Sequence, residues 1–150
     1  MLSSAPHADD PDVPKGFGNA RCCEIALARN HRMRVSWPTP TADAATWMQA
    51  GFAVWAALRE DGHAPMEVWP HACFLALAGR MKPKKTPEGL RQRRDALTAH
   101  VEDVGISMWS HDGLDALVAA LTAALRMSGQ AVSVTCGHDR SEIWLPNLGA

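Results

Sequence analysis

The sequence predicts an α/β fold that is rich in helices and poor in strands. Two observations carry that expectation. Five segments repeat apolar residues at helical spacing between recognisable start and stop signals, and only three short stretches have the β-branched or alternating character of strands. The 150 residues suit one core and bury about two-thirds of the surface that the unfolded chain exposes.

Residues 1–18 are rich in Pro, Asp, Ser and Gly with little apolar content, which predicts a flexible N-terminal tail ahead of a domain at 19–146. The first helix is expected from Asn19, its N-cap, to about Arg29, with Ile25, Leu27 and Ala28 inside. Ser36-Trp37-Pro38-Thr39-Pro40 reads as extended, because each Pro disfavours helix in the residue before it. Thr41 opens a long helix to about Asp61, closed by Gly62. Its stripe of Trp47, Met48, Gly51, Phe52, Trp55 and Leu58 reads as core.

Met66 to Trp69 reads as a short strand. Pro70 starts the next helix, which runs to about Ala78 and stops at Gly79. After a basic loop from Arg80 to Lys85, Thr86 caps a helix from Pro87 to about Val101, with Leu90, Leu97 and Val101 inward. A helix from about Asp112 to Met127 follows. Leu114, Leu117, Val118, Leu121 and Leu125 form its stripe and alanines fill its flanks, which predicts burial. Val132 and Val134, a turn at Gly137-His138-Asp139-Arg140, and Glu142 to Leu145 read as a hairpin.

A formal net charge of −1 with mixed signs means that the chain as a whole is not committed to nucleic acid, so any such affinity must come from a local patch. The first residues lack the apolar core of a signal peptide, and no apolar run approaches the roughly 20 residues of a membrane span. A cytoplasmic protein is therefore expected. Cysteines 22, 23, 73 and 136 are expected as free thiols, and without a C-x-x-C pair or an H-x-x-x-H partner they predict no zinc site. No H-E-x-x-H, G-x-S-x-G, P-loop or G-x-G-x-x-G pattern occurs, which leaves hydrolase, triphosphatase and dehydrogenase readings of those kinds without support.

Asp112 and Asp115 stand three residues apart at the head of the apolar helix. They fit two roles. Asp112 as N-cap with Asp115 three positions on would satisfy first-turn amides and complement the helix dipole. Alternatively, two carboxylates on one helix face suit Mg²⁺, which takes one or two carboxylates together with water and phosphate oxygens.

Glu67 is an acid within an apolar strand, where it either faces solvent on an edge or joins a site. Lys82, Lys84, Lys85, Arg91, Arg93 and Arg94 form a basic run that reads as a solvated face or as a grip on phosphates. His71 and His111 adjoin the acids, where His111 can position a water or a phosphate or simply lie at the surface.

Several of these segments resemble one family, in its order. Asp112-x-x-Asp115-Ala-Leu-x-x-Ala-x-Thr122 looks like the last motif of the RNase H-like superfamily. Met66-Glu67-Val68-Trp69-Pro70-His71-Ala72 resembles an E-V-Y-P-x-A stretch of one branch, the domain of unknown function 429, a group of predicted RNase H-like nucleases. Lys85-Thr86 with Gly89 and Arg91 resembles its K-x-T-x-x-G-x-x-R region, Ile143-Trp144-Leu145-Pro146 its terminal I-W-L-P, and Arg21-Cys22-Cys23-Glu24 its R-x-C-D segment.

The family opens on a strand bearing an Asp, followed by an I-D-A-P-L-G segment of which Asp9-Asp10-Pro11 is an eroded echo; no such first strand is found here. The resemblance thus implies a partial RNase H-like fold and a metal-dependent nuclease with an incomplete site. Its catalytic metal ligands would be Glu67, Asp112 and Asp115, its ions Mg²⁺ or Mn²⁺, and its nucleic-acid contacts Lys82, Lys84, Lys85 and Arg91. The alternative is a non-catalytic, truncated or degenerate relative whose apolar surface is covered by a second copy or a partner chain.

Overall fold

The computed structural model describes residues 20–30, 33, 44–102, 105, 109–135 and 141–148. The expected tail, the Asn19 cap, the extended segment at 36–40, the Thr41 helix start, Cys136 and the hairpin turn at 137–140 lie outside those residues. Five helices and a two-stranded sheet are described: α1 Cys22–Asn30, α2 Thr46–Glu60, α3 Pro70–Ala78, α4 Pro87–Thr98, α5 His111–Met127, β1 Ala131–Val134 and β2 Ile143–Pro146. The fold class is the helix-rich α/β arrangement that the sequence predicts. The chain divides into two compact units, residues 1–66 with 134–142 and residues 67–133 with 143–150.

In the first unit, Arg21 and Glu24 close the start of α1. The Glu24 carboxylate accepts from the Arg21 amide at 2.9 Å and from its guanidinium at 2.9 Å. This is the reciprocal half of a capping box, in which an acid at the third helical position reaches back to the residue before the helix. Arg21-Cys22-Cys23-Glu24 therefore has a structural role here. Cys22, Cys23, Ile25, Ala26 and Leu27 are buried. Ser141 Oγ accepts from the Cys23 amide at 3.2 Å.

The expectation of four free thiols fails at Cys22, which is disulfide-bonded, while Cys23 and Cys73 are free. The adjacency of Cys22 and Cys23 argues only against their pairing with each other. A bond to a distant cysteine depends on tertiary proximity, which local sequence does not carry.

Helix α2 corrects a second expectation. None of its residues is buried. Met48, Phe52 and Trp55 are half-covered at i, i+4 and i+7, whereas Trp47 is 76 % exposed, Val54 61 % and Leu58 37 %. The amphipathic pattern is present, but the stripe is not core. Arg59 lies over the Trp55 ring at 5.5 Å and shields one face of it.

The second unit is built around α3, α5 and β2. β2 pairs antiparallel with β1, and the Asn147 amide bonds the Gln130 carbonyl at 2.8 Å beyond the pair. On its other side, β2 meets the Glu67 segment through a single parallel bridge, Val68 to Trp144, in which the Trp144 amide donates to the Glu67 carbonyl at 3.0 Å. The strand expected at Met66–Trp69 is thus reduced to one bridge, because Pro70 at the first helical position turns the chain into α3 at once.

Phe74, Leu97, Leu114, Val118 and Thr122 are fully buried, with Ile143 and Leu145 beside them. Each of the large apolar groups contributes about 1.5–3 kcal/mol by leaving water. Thr122 satisfies its hydroxyl by donating to the Val118 carbonyl at 2.7 Å. Cys73 donates weakly to the Trp144 carbonyl at 3.6 Å, and burial pushes its thiol up to about 11, which makes it an inert core residue. No helix among the described residues is long and apolar enough to cross a membrane.

Candidate functional site

The loop that carries the lysines is held from both ends. Thr86 caps α4 by accepting from the Gly89 amide at 3.1 Å, and its hydroxyl donates back to the Pro83 carbonyl at 2.9 Å. The Lys82 amide donates to Gln92 Oε1 at 2.7 Å. Gly89 is required where the loop crosses the helix, because a Cβ there would lie 2.1 Å from the Pro83 oxygen. Lys84 is thereby presented towards α5 from a fixed turn.

At the head of α5, Ser110 is the N-cap and accepts from the Gly113 amide at 3.3 Å. The capping role considered for Asp112 is therefore filled by Ser110, two residues earlier than the acid pattern suggests. Asp112 falls at the second helical position and Asp115 at the fifth. At that depth the Asp115 carboxylate no longer serves a first-turn amide. Its partner is Lys84, whose ammonium bonds it directly and also lies 3.8 Å from Asp112 Oδ1. Two carboxylates thus converge on one cationic point, with Asp115 mostly covered and the Asp112 side chain 98 % exposed.

Beside this pair lies an open cleft of about 450 Å³, lined by Trp69, Pro70, His71, Pro83, Lys84, Arg93 and Asp115. Arg93 is 1 % exposed. Its Nη1 donates to the carbonyls of Gly89 at 2.9 Å and Lys82 at 3.4 Å, Nη2 lies 3.5 Å from His71 Nδ1, and its guanidinium lies 5.4 Å from the centre of the Phe74 ring. Among the described residues no carboxylate pairs with it, and its Nε is buried with no partner. Burial pulls its pKa below the ordinary value, and Asp115 opposes that shift. The His71 pKa is also lowered, first by burial and then by the charge of Arg93, with Asp115 acting against and Lys84 adding a smaller push downward.

Of the residues that sequence reasoning singles out, the structure joins Asp112, Asp115 and Lys84. Lys82 orders the loop through its backbone, and Lys85 and Arg91 are exposed outside the cleft lining. Glu67 is half-buried and bridges to β2 through its carbonyl, and it is absent from the cleft lining. Among the described residues, no three His, Cys, Asp or Glu side chains gather closely enough to hold a metal ion.

Arg93 and His71 are the cleft residues whose importance spacing alone understates. The available signal was Gly89 followed four residues later by an Arg on the same helix face, which places Arg93, rather than Arg91, above the loop. His111 lies at the first position of α5 with its Nδ1 buried and unpartnered.

Comparison with known families bears out the family resemblance. The model of the family described as "Protein of unknown function (DUF429)" matches residues 20–140. The chain belongs to the DUF429 family. No curated protein and no solved structure is detectably similar to this DUF429 chain. The matched span contains α1 to α5 and the whole cleft.

Proposed function

We propose that this DUF429 protein acts on nucleic acid as a metal-dependent phosphodiesterase of the RNase H-like type. The observation that supports it best is the convergence of Asp112 and Asp115 on one cationic point at the mouth of a cleft whose other charges are basic. The Lys84 ammonium is a stand-in for the ion. A Mg²⁺ or Mn²⁺ ion fits that place, since hard cations accept one or two carboxylates and complete their shell with water and phosphate oxygens. When bound, such an ion supplies charge neutralisation and activation of a water at the scissile phosphate.

The chain's own residues supply the rest. Lys84, once displaced from Asp115, is placed to meet a phosphate oxygen, and Arg93 holds the positive potential of the cleft floor. Cleavage is slow in this arrangement, because Glu67 is not gathered with the two aspartates and a two-ion site short of a carboxylate loses its geometry. The test is Mn²⁺-dependent nicking of single- and double-stranded DNA and RNA, with the Asp115→Asn variant as control. Weak cleavage that needs Mn²⁺ and vanishes in the variant supports the reading. Cleavage unchanged in the variant, or none at any Mn²⁺ concentration, removes it.

A second, non-catalytic reading is favoured by α2. Trp47, Val54 and Leu58 leave an apolar face open to solvent, of the kind that marks a surface for a partner chain or a second copy. Concentration-dependent sedimentation that Trp47→Ser abolishes supports it, and a monomer at all concentrations counts against self-association.

A further inference from the structure

We infer that the floor of the cleft is a metal-independent binding site for a nucleotide phosphate, formed by Arg93, His71 and the first turn of α3. Its identity as a nucleotide site rests on the nucleic-acid reading above, whereas anion binding does not. An arginine 1 % exposed and with no carboxylate partner among the described residues is costly unless an anion completes its coordination, and two backbone carbonyls and a ring face neutralise none of its charge. Its unpartnered buried Nε shows that the donor fork is not saturated by the protein.

Three further features point the same way. Arg donates only, so its contact with His71 Nδ1 makes that nitrogen the acceptor and puts the proton of the neutral ring on Nε2, available as a donor. α3, nine residues long, starts at the cleft wall with Pro70 at its first position, and a helix start carries unpaired amides and positive potential. The charges lining the cleft are Lys84 and Arg93 against Asp115, a balance of two positive to one negative with His71 neutral. Lys84 bonds Asp115 directly, whereas Arg93 feels that carboxylate without bonding it.

Trp69 lines the same cleft, and an indole ring is a group on which a base can stack. The volume of about 450 Å³ admits one nucleotide unit.

The experiment is a titration of the full chain in EDTA, followed by calorimetry and by the ring resonances of His71, with inorganic phosphate, uridine 5′-monophosphate and uridine as ligands. Phosphate and the nucleotide are expected to bind and shift His71. Uridine alone is expected to bind neither tightly nor with that shift. Arg93→Met should weaken phosphate about tenfold or more, as loss of a charge-assisted contact does. His71→Ala should weaken it by a smaller factor.

Asp115→Asn separates this inference from the nuclease reading. It removes the proposed ion ligand, yet it should leave phosphate affinity unchanged or raise it, since a negative charge leaves the cleft. Phosphate that binds nowhere near His71 in the folded wild type, or that binds equally well to both Arg93→Met and His71→Ala, overturns the site. Phosphate bound with uridine 5′-monophosphate excluded overturns the nucleotide assignment.

Discussion

Helices α2 and α5 have comparable patterns and opposite fates. Both carry an apolar stripe at helical spacing over four turns or more, yet α5 buries Leu114, Val118 and Thr122 while α2 buries nothing. The difference lies outside the helices. α5 is covered by α3, α4 and β2, whereas the described residues around α2 provide only partial cover for Met48, Phe52 and Trp55. Periodicity states which face needs to leave water; it does not state that the same chain supplies the cover.

The comparison breaks most readily at Leu114 and Trp47. Leu114→Ala empties a fully enclosed position and should cost about 2–5 kcal/mol in denaturant unfolding, whereas Trp47→Ala on the monomer should stay within about 0.5 kcal/mol. Equal losses at the two positions would mean that the α2 face is covered in solution.

A smaller effect sharpens the account of the α5 start. Ser110→Ala should cost about 0.5–2 kcal/mol by orphaning the Gly113 amide, and Asp112→Asn should leave stability nearly unchanged. The reverse order would restore Asp112 as the cap. Thermal unfolding of the two variants at neutral pH and low salt decides it.

Element positions were largely legible in the sequence because their punctuation is local. Pro70 and Gly79 bracket α3, Thr86-Pro87 opens α4, and Gly129 with φ +74° follows the end of α5, where a left-handed residue ends a helix cheaply. What was illegible depends on tertiary contact. The Cys22 disulfide, the reduction of the Glu67 strand to one bridge and the exposure of α2 follow from what the fold brings alongside, and no local pattern encodes that.

The candidate site divides the same way. The acids and the lysine loop stood out by residue type, but the pairing of Lys84 with both aspartates needed the turn fixed by Thr86 and Gly89. Arg93 was one cation in a run of six until the helix turned it into the cleft, with Arg94 bonded to the Trp109 carbonyl and Lys82, Lys84, Lys85 and Arg91 left exposed.

Asp112 and Asp115 are proposed as a cation-binding pair, with Lys84 in the ion's place. Thermal melts of wild type, Asp112→Asn, Asp115→Asn and Lys84→Met, with and without Mn²⁺, test it most directly. Mn²⁺ should raise the melting temperature of the wild type, raise that of Lys84→Met further because the competing ammonium is gone, and leave both aspartate variants unmoved. A wild type and a Lys84→Met variant that both melt at the same temperature with and without Mn²⁺ would contradict the claim.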